Sequence, residues 1–284
     1  MPEIYPRPSV AAIDAILGEP FRVLDHGFVR VIDYMGDDTA IVQAARVSYG
    51  EGTKSVQDDA GLIDYLMRRR HSSPFEHCEI KLHVKLPIFV ARQWIRHRTA
   101  NVSEISARYS VLPDEFYLPA PEDIARQSDS NKQGRGDALG GNSVAAVTQV
   151  LRDGAGRCYD DYGELLDTGL ARELARISLP LSAYTQWYWK IDLHNLFHFL
   201  QLRLDPHAQL EIRRYAEVIA GIVRQWVPLA WAAFVRHRLD AVTLSGPAVA
   251  LVKRMLAGER PSQEDSGLGR REYEDVMRAM GVAR

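Results

Sequence analysis

Residues 78–98 read Cys78-Glu79-Ile80-Lys81-Leu82-His83-Val84-Lys85-Leu86-Pro87-Ile88-Phe89-Val90-Ala91-Arg92-Gln93-Trp94-Ile95-Arg96-His97-Arg98. In the first part, Cys78, Ile80, Leu82, Val84 and Leu86 alternate with Glu79, Lys81, His83 and Lys85. That period of two predicts a half-buried strand. Pro87 suits the first turn of a following helix. Ile88, Ala91, Trp94 and Ile95 then give that helix one apolar face, with Gln93 and Arg96 projecting together from another. A strand feeding a helix, which delivers a cationic cluster, is the local plan.

Working outward, residues 22–33 read as an early strand, and Asp37 or Asp38 caps a helix running to Arg46. Val56, Leu62, Ile63, Leu66 and Met67 fall at helical spacing, and Arg68, Arg69 and Arg70 lie where cations favour a helix end. Helices are expected over 144–167 and 170–178. Tyr184–Trp189 has strand-like composition. Asp192 caps a helix whose Leu193, Leu196, Phe197, Leu200 and Leu204 face the core. Residues 207–235 read as one long helix, and Pro261-Ser262-Gln263 marks a polar break before a charged tail. Residues 125–143, rich in Gly, Ser and Asn, read as a flexible insertion. The fold class is α/β of the α+β type, with a long helical C-terminal half.

The 284 residues carry a formal net charge of -2, with 46% hydrophobic and 25% charged residues. A general nucleic-acid or membrane binder would usually be basic. Met1–Val10 holds three prolines and no apolar run, unlike a signal peptide. No window approaches the ~18 apolar residues of a transmembrane helix. Two cysteines are too few for a disulfide framework or a thiolate metal cage, so a reducing cytoplasm fits. Cys78 shares the phase of Ile80 and Leu82 and reads as core. Cys158 lies in a helix with no distinguishing partner.

The chemistry concentrates in 96–110. Arg96, His97 and Arg98 stand together, followed by Asn101, Ser103, Glu104, Ser106, Arg108 and Tyr109. Adjacent guanidinium groups suit phosphate or pyrophosphate. Three such residues alone would more simply be a solvated helix end, and Glu104 and Arg108, four apart, could simply pair. One regular helix would not converge Glu104, Ser106 and Arg108 on one ligand, so a loop or extended segment is expected. His194 and His198 have a metal-compatible spacing, with Asp192, Asp205 and His207 nearby. No diagnostic metal motif accompanies them, and a polar helix face is the better reading. No Gly-x-Gly-x-x-Gly run supports a Rossmann site.

Arg96-His97-Arg98 followed after seven residues by Ser106 resembles the signature of the flavin-dependent thymidylate synthases. His71-Ser72-Ser73-Pro74-Phe75-Glu76-His77, Pro87–Trp94, Glu104–Ser110, Ala175-Arg176-Ile177 with Leu179-Pro180, and Leu202-Arg203 through Gln209 extend the resemblance in order over roughly 22–235. It implies a domain over 22–240, an N-terminal extension over 1–21 and a charged extension over 241–284. It also implies a central, mostly antiparallel sheet flanked by helices, in a homotetramer with active sites between subunits. The implied reaction methylates dUMP to dTMP, with 5,10-methylenetetrahydrofolate as carbon donor and NADPH as reductant through FAD, without a catalytic cysteine or a metal.

By the same resemblance, dUMP would be held by Gln93, Ile95, Arg96, Glu104, Ile105, Ser106, Ala107, Arg108, Arg176 and Arg203, with Arg203 catalytic. FAD would be held by Ser73, Arg96, His97, Arg98, Thr99, Glu104, Asp192, Leu193, His194 and His198, and His71 would lie near the folate and flavin rings. Ser73 stands where threonine is frequent, and Asp192 and His198 where some members carry asparagine. The competing readings are a metal-dependent hydrolase built on His194, His198 and His207, and a nucleic-acid-binding module.

Overall fold

The computed structural model describes residues 7–47, 59–129 and 134–282. Two units are distinguished, divided between Phe234 and Val235. The first contains β1 (Pro20–Val23), β2 (Gly27–Met35), β3 (Glu79–Pro87), β4 (Asn101–Glu104), β5 (Ala125–Gln127), β6 (Arg135–Ala138) and β7 (Tyr184–Asp192). Its α-helices are α1 (Ala11–Asp14), α2 (Asp38–Arg46), α3 (Asp59–Arg69), α4 (Ile88–Trp94), α5 (Gly141–Asp167), α6 (Arg172–Ala175), α7 (Leu193–Arg203), α8 (Leu210–Trp226) and α9 (Pro228–Phe234). The second carries α10 (Gly246–Leu256), α11 (Gln263–Ser266) and α12 (Arg270–Ala279) around Ala248, Leu251, Leu268 and Val276.

The alternation at 78–86 becomes β3, whose apolar residues Ile80, Leu82, Val84 and Leu86 are buried. The sheet order is β1-β2-β3-β7-β4 and every pairing is antiparallel. Helices α4, α7 and α8 pack on the sheet. Trp94 at the end of α4 is fully buried and meets Trp187 and Trp189 of β7, Phe199 of α7 and Tyr215 of α8. This aromatic knot ties together the elements that carry the site. Removing a ring of this size from such a core costs about 3–5 kcal/mol.

The expected strand at 22–33 is instead a hairpin, with Leu24 in the left-handed region at φ 59°. A side chain at Gly27 would collide with the Tyr215 hydroxyl and come within 2.6 Å of the Val23 carbonyl, so glycine is required there. Asp37 caps α2 by accepting from Thr39 and Ala40. The α3 periodicity holds from Asp59, while Val56 lies outside the described residues. Arg70 then turns left-handed at φ 61° and ends the helix just before His71.

Four further expectations are corrected. The helix after Pro87 stops at Trp94, so Gln93 and Arg96 do not share a rigid helix; Pro87 is its cap and the last residue of β3. The 170–178 helix is α6 followed by a 3-10 turn at Arg176–Ser178. The long helix at 207–235 breaks at Val227, before Pro228. There the half-made N-terminus of α9 is satisfied by the buried Asp38 carboxylate, which accepts from Leu229 and Ala230 at 2.8 and 2.9 Å. The insertion contains the β5–β6 hairpin, with residues 130–133 outside the described set. Both 144–167 and Tyr184–Trp189 form the expected element types, as α5 and β7.

Candidate active site

A cleft of about 370 Å³ opens at the end of the sheet where β4 leaves β7. It is lined by Glu104, Ile105, Ser106, Ala107 and Arg176, together with Ile88, Leu112, Leu179, Pro180, Leu181 and Thr185. The 101–108 segment is extended and then turns, as the scatter of its polar residues requires. The Ile105 N–H donates to the Gln186 carbonyl at 2.9 Å, fixing the start of the turn on β7. The Ser106 hydroxyl accepts from the Arg108 N–H at 3.3 Å.

Glu104 and Arg108 do not pair with each other. Glu104 accepts from the Thr185 hydroxyl at 2.6 Å, and Arg108 lies 3.3 Å from Glu173 of α6. Thr185 is 4% exposed and was not singled out in sequence, where it is one more residue of an aromatic strand. Only the pairing of β4 with β7 brings it under Glu104. The far wall is Leu112, whose backbone is held by Tyr159 and Tyr162 of α5.

A second cluster lies where α4 ends and α7 packs. Arg203 Nε donates to His97 Nε2 at 3.1 Å. His97 also meets Phe199 and His198 edge-on, with ring centroids 5.0 and 6.0 Å away. Burial first, then the Arg203 and His198 charges, push the His97 pKa down to about 4. His97 is therefore neutral near pH 7, and accepting from Arg203 at Nε2 assigns its proton to Nδ1. Burial also lowers the Arg203 pKa. Arginine starts so far above neutrality that it keeps its charge. The result is a half-buried cation held in one orientation by a neutral acceptor.

Around it the cations are unclaimed. Arg96 and Arg98 are exposed and form no hydrogen bond or ion pair among the described residues. Ile95, Thr99, Ser73, His71, His194 and His198 are also exposed. Leu193 is buried and packs as core. The Asp192 side chain is occupied as the α7 cap, accepting from the Asn195 N–H at 2.9 Å and its Nδ2 at 2.7 Å. Gln93 is half-buried and donates to Gln209 at 3.1 Å. Thus Glu104 to Ala107 and Arg176 converge on the cleft, whereas Gln93, Arg96 and Arg203 are not among its lining residues.

Among the described residues, no three His, Cys, Asp or Glu side chains are arranged to hold a metal ion. His207 is exposed and bonded to Asp205, and the hydrolase reading finds no site there. Cys78 is wholly buried, and burial pushes its thiol up to about 12, which denies it thiolate character. No described helix is long and apolar enough to cross a membrane.

Residues 30–229 match the family model for thymidylate synthase complementing protein. The flavin-dependent thymidylate synthase of Gluconobacter oxydans (strain 621H) is 63% identical, covering 99% of this chain and 94% of that protein. That of Ruegeria pomeroyi (strain ATCC 700808 / DSM 15171 / DSS-3) is 64% identical over 91% of this chain and 87% of its own length. Among solved structures, the UMP/dUMP methylase PolB from Streptomyces cacaoi, bound with 5-Br UMP, superposes with a TM-score of 0.70 at 34% identity. The match covers 77% of this chain and 98% of PolB. With its antiparallel sheet, its cleft and its Arg-His-Arg turn thus placed, the chain belongs to the flavin-dependent thymidylate synthase family.

Proposed function

We propose that this protein catalyses the reductive methylation of dUMP to dTMP, with FAD as cofactor and NADPH and 5,10-methylenetetrahydrofolate as co-substrates, acting in the cytoplasm. The observation that carries the reading is the arrangement of cations: one guanidinium fixed by His97 beside two left unpaired at the protein surface. A buried nucleotide dianion and a pyrophosphate need such donors, and unpaired arginines supply them without first breaking an internal ion pair.

In this reading Arg176 and Ser106, joined by Arg108 once it leaves Glu173, answer the dUMP phosphate, while Glu104, Ile105 and Ala107 shape the cleft around sugar and base. Gln93, Ile95, Arg96 and Arg203 complete the nucleotide site. The donor set fits FAD: Arg96, Arg98, Thr99 and Ser73 would offer charged and hydroxyl donors for the pyrophosphate, and His97, Glu104, His194 and His198 would add polar side chains, with the buried Leu193 packed behind them. Asp192 contributes through its backbone, since its carboxylate already caps α7. His71 would lie near the folate and flavin rings. Bound FAD supplies the hydride relay between NADPH and the methylated base.

The chain's own contribution is electrostatic. Arg203 would sit beside the uracil ring, where negative charge grows as hydride adds at C6, and a fixed cation there lowers that barrier. His97 holds Arg203 without competing for its charge, because an imidazolium there would repel it. No cysteine takes part, in keeping with the buried Cys78 thiol.

A homotetramer with sites between subunits is part of the same proposal. Tyr109 and Ile177, close in sequence to the cleft lining, are each 75% exposed, and Leu181 of the lining is 65% exposed. A second copy of the chain would cover these apolar groups. A second copy would also unite the cleft with the Gln93–Arg203 cluster. Reconstitution with FAD tests the reading: the protein should bind the flavin and show bleaching of its absorption with NADPH and dUMP. Failure to bind FAD in any preparation would remove the proposal's foundation.

A further inference from the structure

Glu211, in the first turn of α8, is 1% exposed and stands outside the site described above. Its Oε1 accepts from the Tyr117 hydroxyl at 3.1 Å and from the Arg135 guanidinium of β6. Its Oε2 accepts from Gln209 Nε2 at 2.9 Å. Gln209 Oε1 accepts in turn from Gln93 Nε2 at 3.1 Å. Gln93 Oε1 is enclosed and has no partner among the described residues.

The order of donors along this chain is not free. A carboxylate paired with a guanidinium can only accept, so Gln209 must turn its NH2 toward Glu211. Its carbonyl then faces Gln93, which must donate. Reversing either amide alone would set oxygen against oxygen or NH2 against NH2. One buried charge therefore dictates the polarity of a side chain two residues removed from it in the network. An enclosed acceptor left without a partner is costly unless something outside the chain supplies a donor.

We propose that Glu211 is a positioning residue for the nucleotide site, fixing the Gln93 amide through Gln209 so that its carbonyl oxygen accepts from the bound nucleotide. This rests on the proposed contact between Gln93 and dUMP, whose ring N3–H and ribose hydroxyl are the available donors. It also gives the β5–β6 hairpin a purpose. Arg135 provides the counter-charge paired with the Glu211 carboxylate.

The test uses the FAD-loaded enzyme. Glu211→Gln places at 211 a group that can donate or accept, so the polarity is no longer imposed. The KM for dUMP should rise roughly five- to tenfold, the effect of one misaligned hydrogen bond, with kcat and flavin content held within about twofold. Adding Gln209→Glu moves the charge one step along and again forces Gln93 to donate, so the double variant should recover the wild-type KM. A role confined to the ion pair predicts no such recovery. Gln209→Leu leaves Glu211, Arg135 and Tyr117 together and should raise KM by a similar factor, which keeps the test decisive if Glu211→Gln fails to fold. An unchanged KM in folded Gln209→Leu, or a double variant no better than Glu211→Gln, overturns the proposal. Gln93→Ala separates the two levels. If it leaves KM unchanged, the site assignment falls and the relay with it. If it raises KM while Gln209→Leu does not, the relay alone is wrong.

Discussion

Arg203 and the Arg96–Arg98 turn carry the same side chain under opposite conditions. Arg203 is half-buried and hydrogen-bonded to His97, whose ring in turn meets Phe199 edge-on. Arg96 and Arg98 are exposed and bonded to no described group. The first cation is positioned before any ligand arrives, at a cost in desolvation that the fold bears. The others are positioned only by what they bind. A group that must act on developing charge benefits from being fixed in advance, whereas a group that only grips can be ordered by its ligand.

The largest test removes the fixed cation. Arg203→Ala should lower dTMP formation by about 10²–10³-fold, the scale for losing a preorganised charge-stabilising donor. Melting temperature and flavin content, measured alongside, should hold. If activity persists, the fixed cation is not the catalytic one. Arg96→Ala or Arg98→Ala should instead weaken FAD binding by about 10-fold or more, as expected for a lost charge-assisted hydrogen bond. With no internal partner lost, apo-protein stability should stay within ~0.5 kcal/mol. Calorimetric titration of FAD and thermal melts of the apo-protein separate these outcomes. A marked loss of apo stability would show that the turn is held internally after all.

Thr185→Val probes the fixed side from the cleft. It keeps the shape and removes the 2.6 Å donor to Glu104. The kcat/KM for dUMP should fall about 10-fold, with Thr185→Ser restoring most of it, since a hydrogen bond to a charged group contributes ~1.5–3 kcal/mol. Equal activity in the Val variant would make Thr185 a packing residue only.

The alternation over 78–86, a cap at Asp37 or Asp38, the Asp192 cap and the apolar stripes of α3 and α7 were legible because each is a local pattern with a local cause; the structure selects Asp37. What escaped was set by distant residues. The 22–33 segment turns over between Val23 and Gly27, where Tyr215 and Lys85 leave room only for glycine at 27. The break before Pro228 is capped by Asp38, far back in the sequence. At the site, the resemblance named Glu104 and Arg176, and the cleft contains both. Thr185 and Glu211 gave no signal, because a threonine in a strand and a glutamate in a helix are ordinary until their partners are known.

The pH dependence sharpens the same contrast. The His97 pKa falls from 6.5 in the unfolded chain to about 4 in the fold. Between these values the unfolded chain binds more protons, so stability is lost as pH drops from 6.5 toward 4. His97 is only half-buried, and solvent screening reduces the effect to about 1–2 kcal/mol. His97→Asn should flatten that part of a denaturation profile, and a slope identical to wild type would contradict the assignment. The smallest effect is expected at Cys78, where Cys78→Ala should cost about 1 kcal/mol of stability and leave turnover unchanged. Abolished chemistry in a folded Cys78→Ala protein would restore the nucleophile that burial excludes.

The most direct measurement is product formation by the purified, FAD-loaded protein given dUMP, NADPH and 5,10-methylenetetrahydrofolate. The account predicts dTMP in the complete mixture and none when the flavin, the reductant or the folate is omitted. A flavin-loaded, folded protein that forms no dTMP from the complete mixture, or forms it equally well without the flavin, would contradict it.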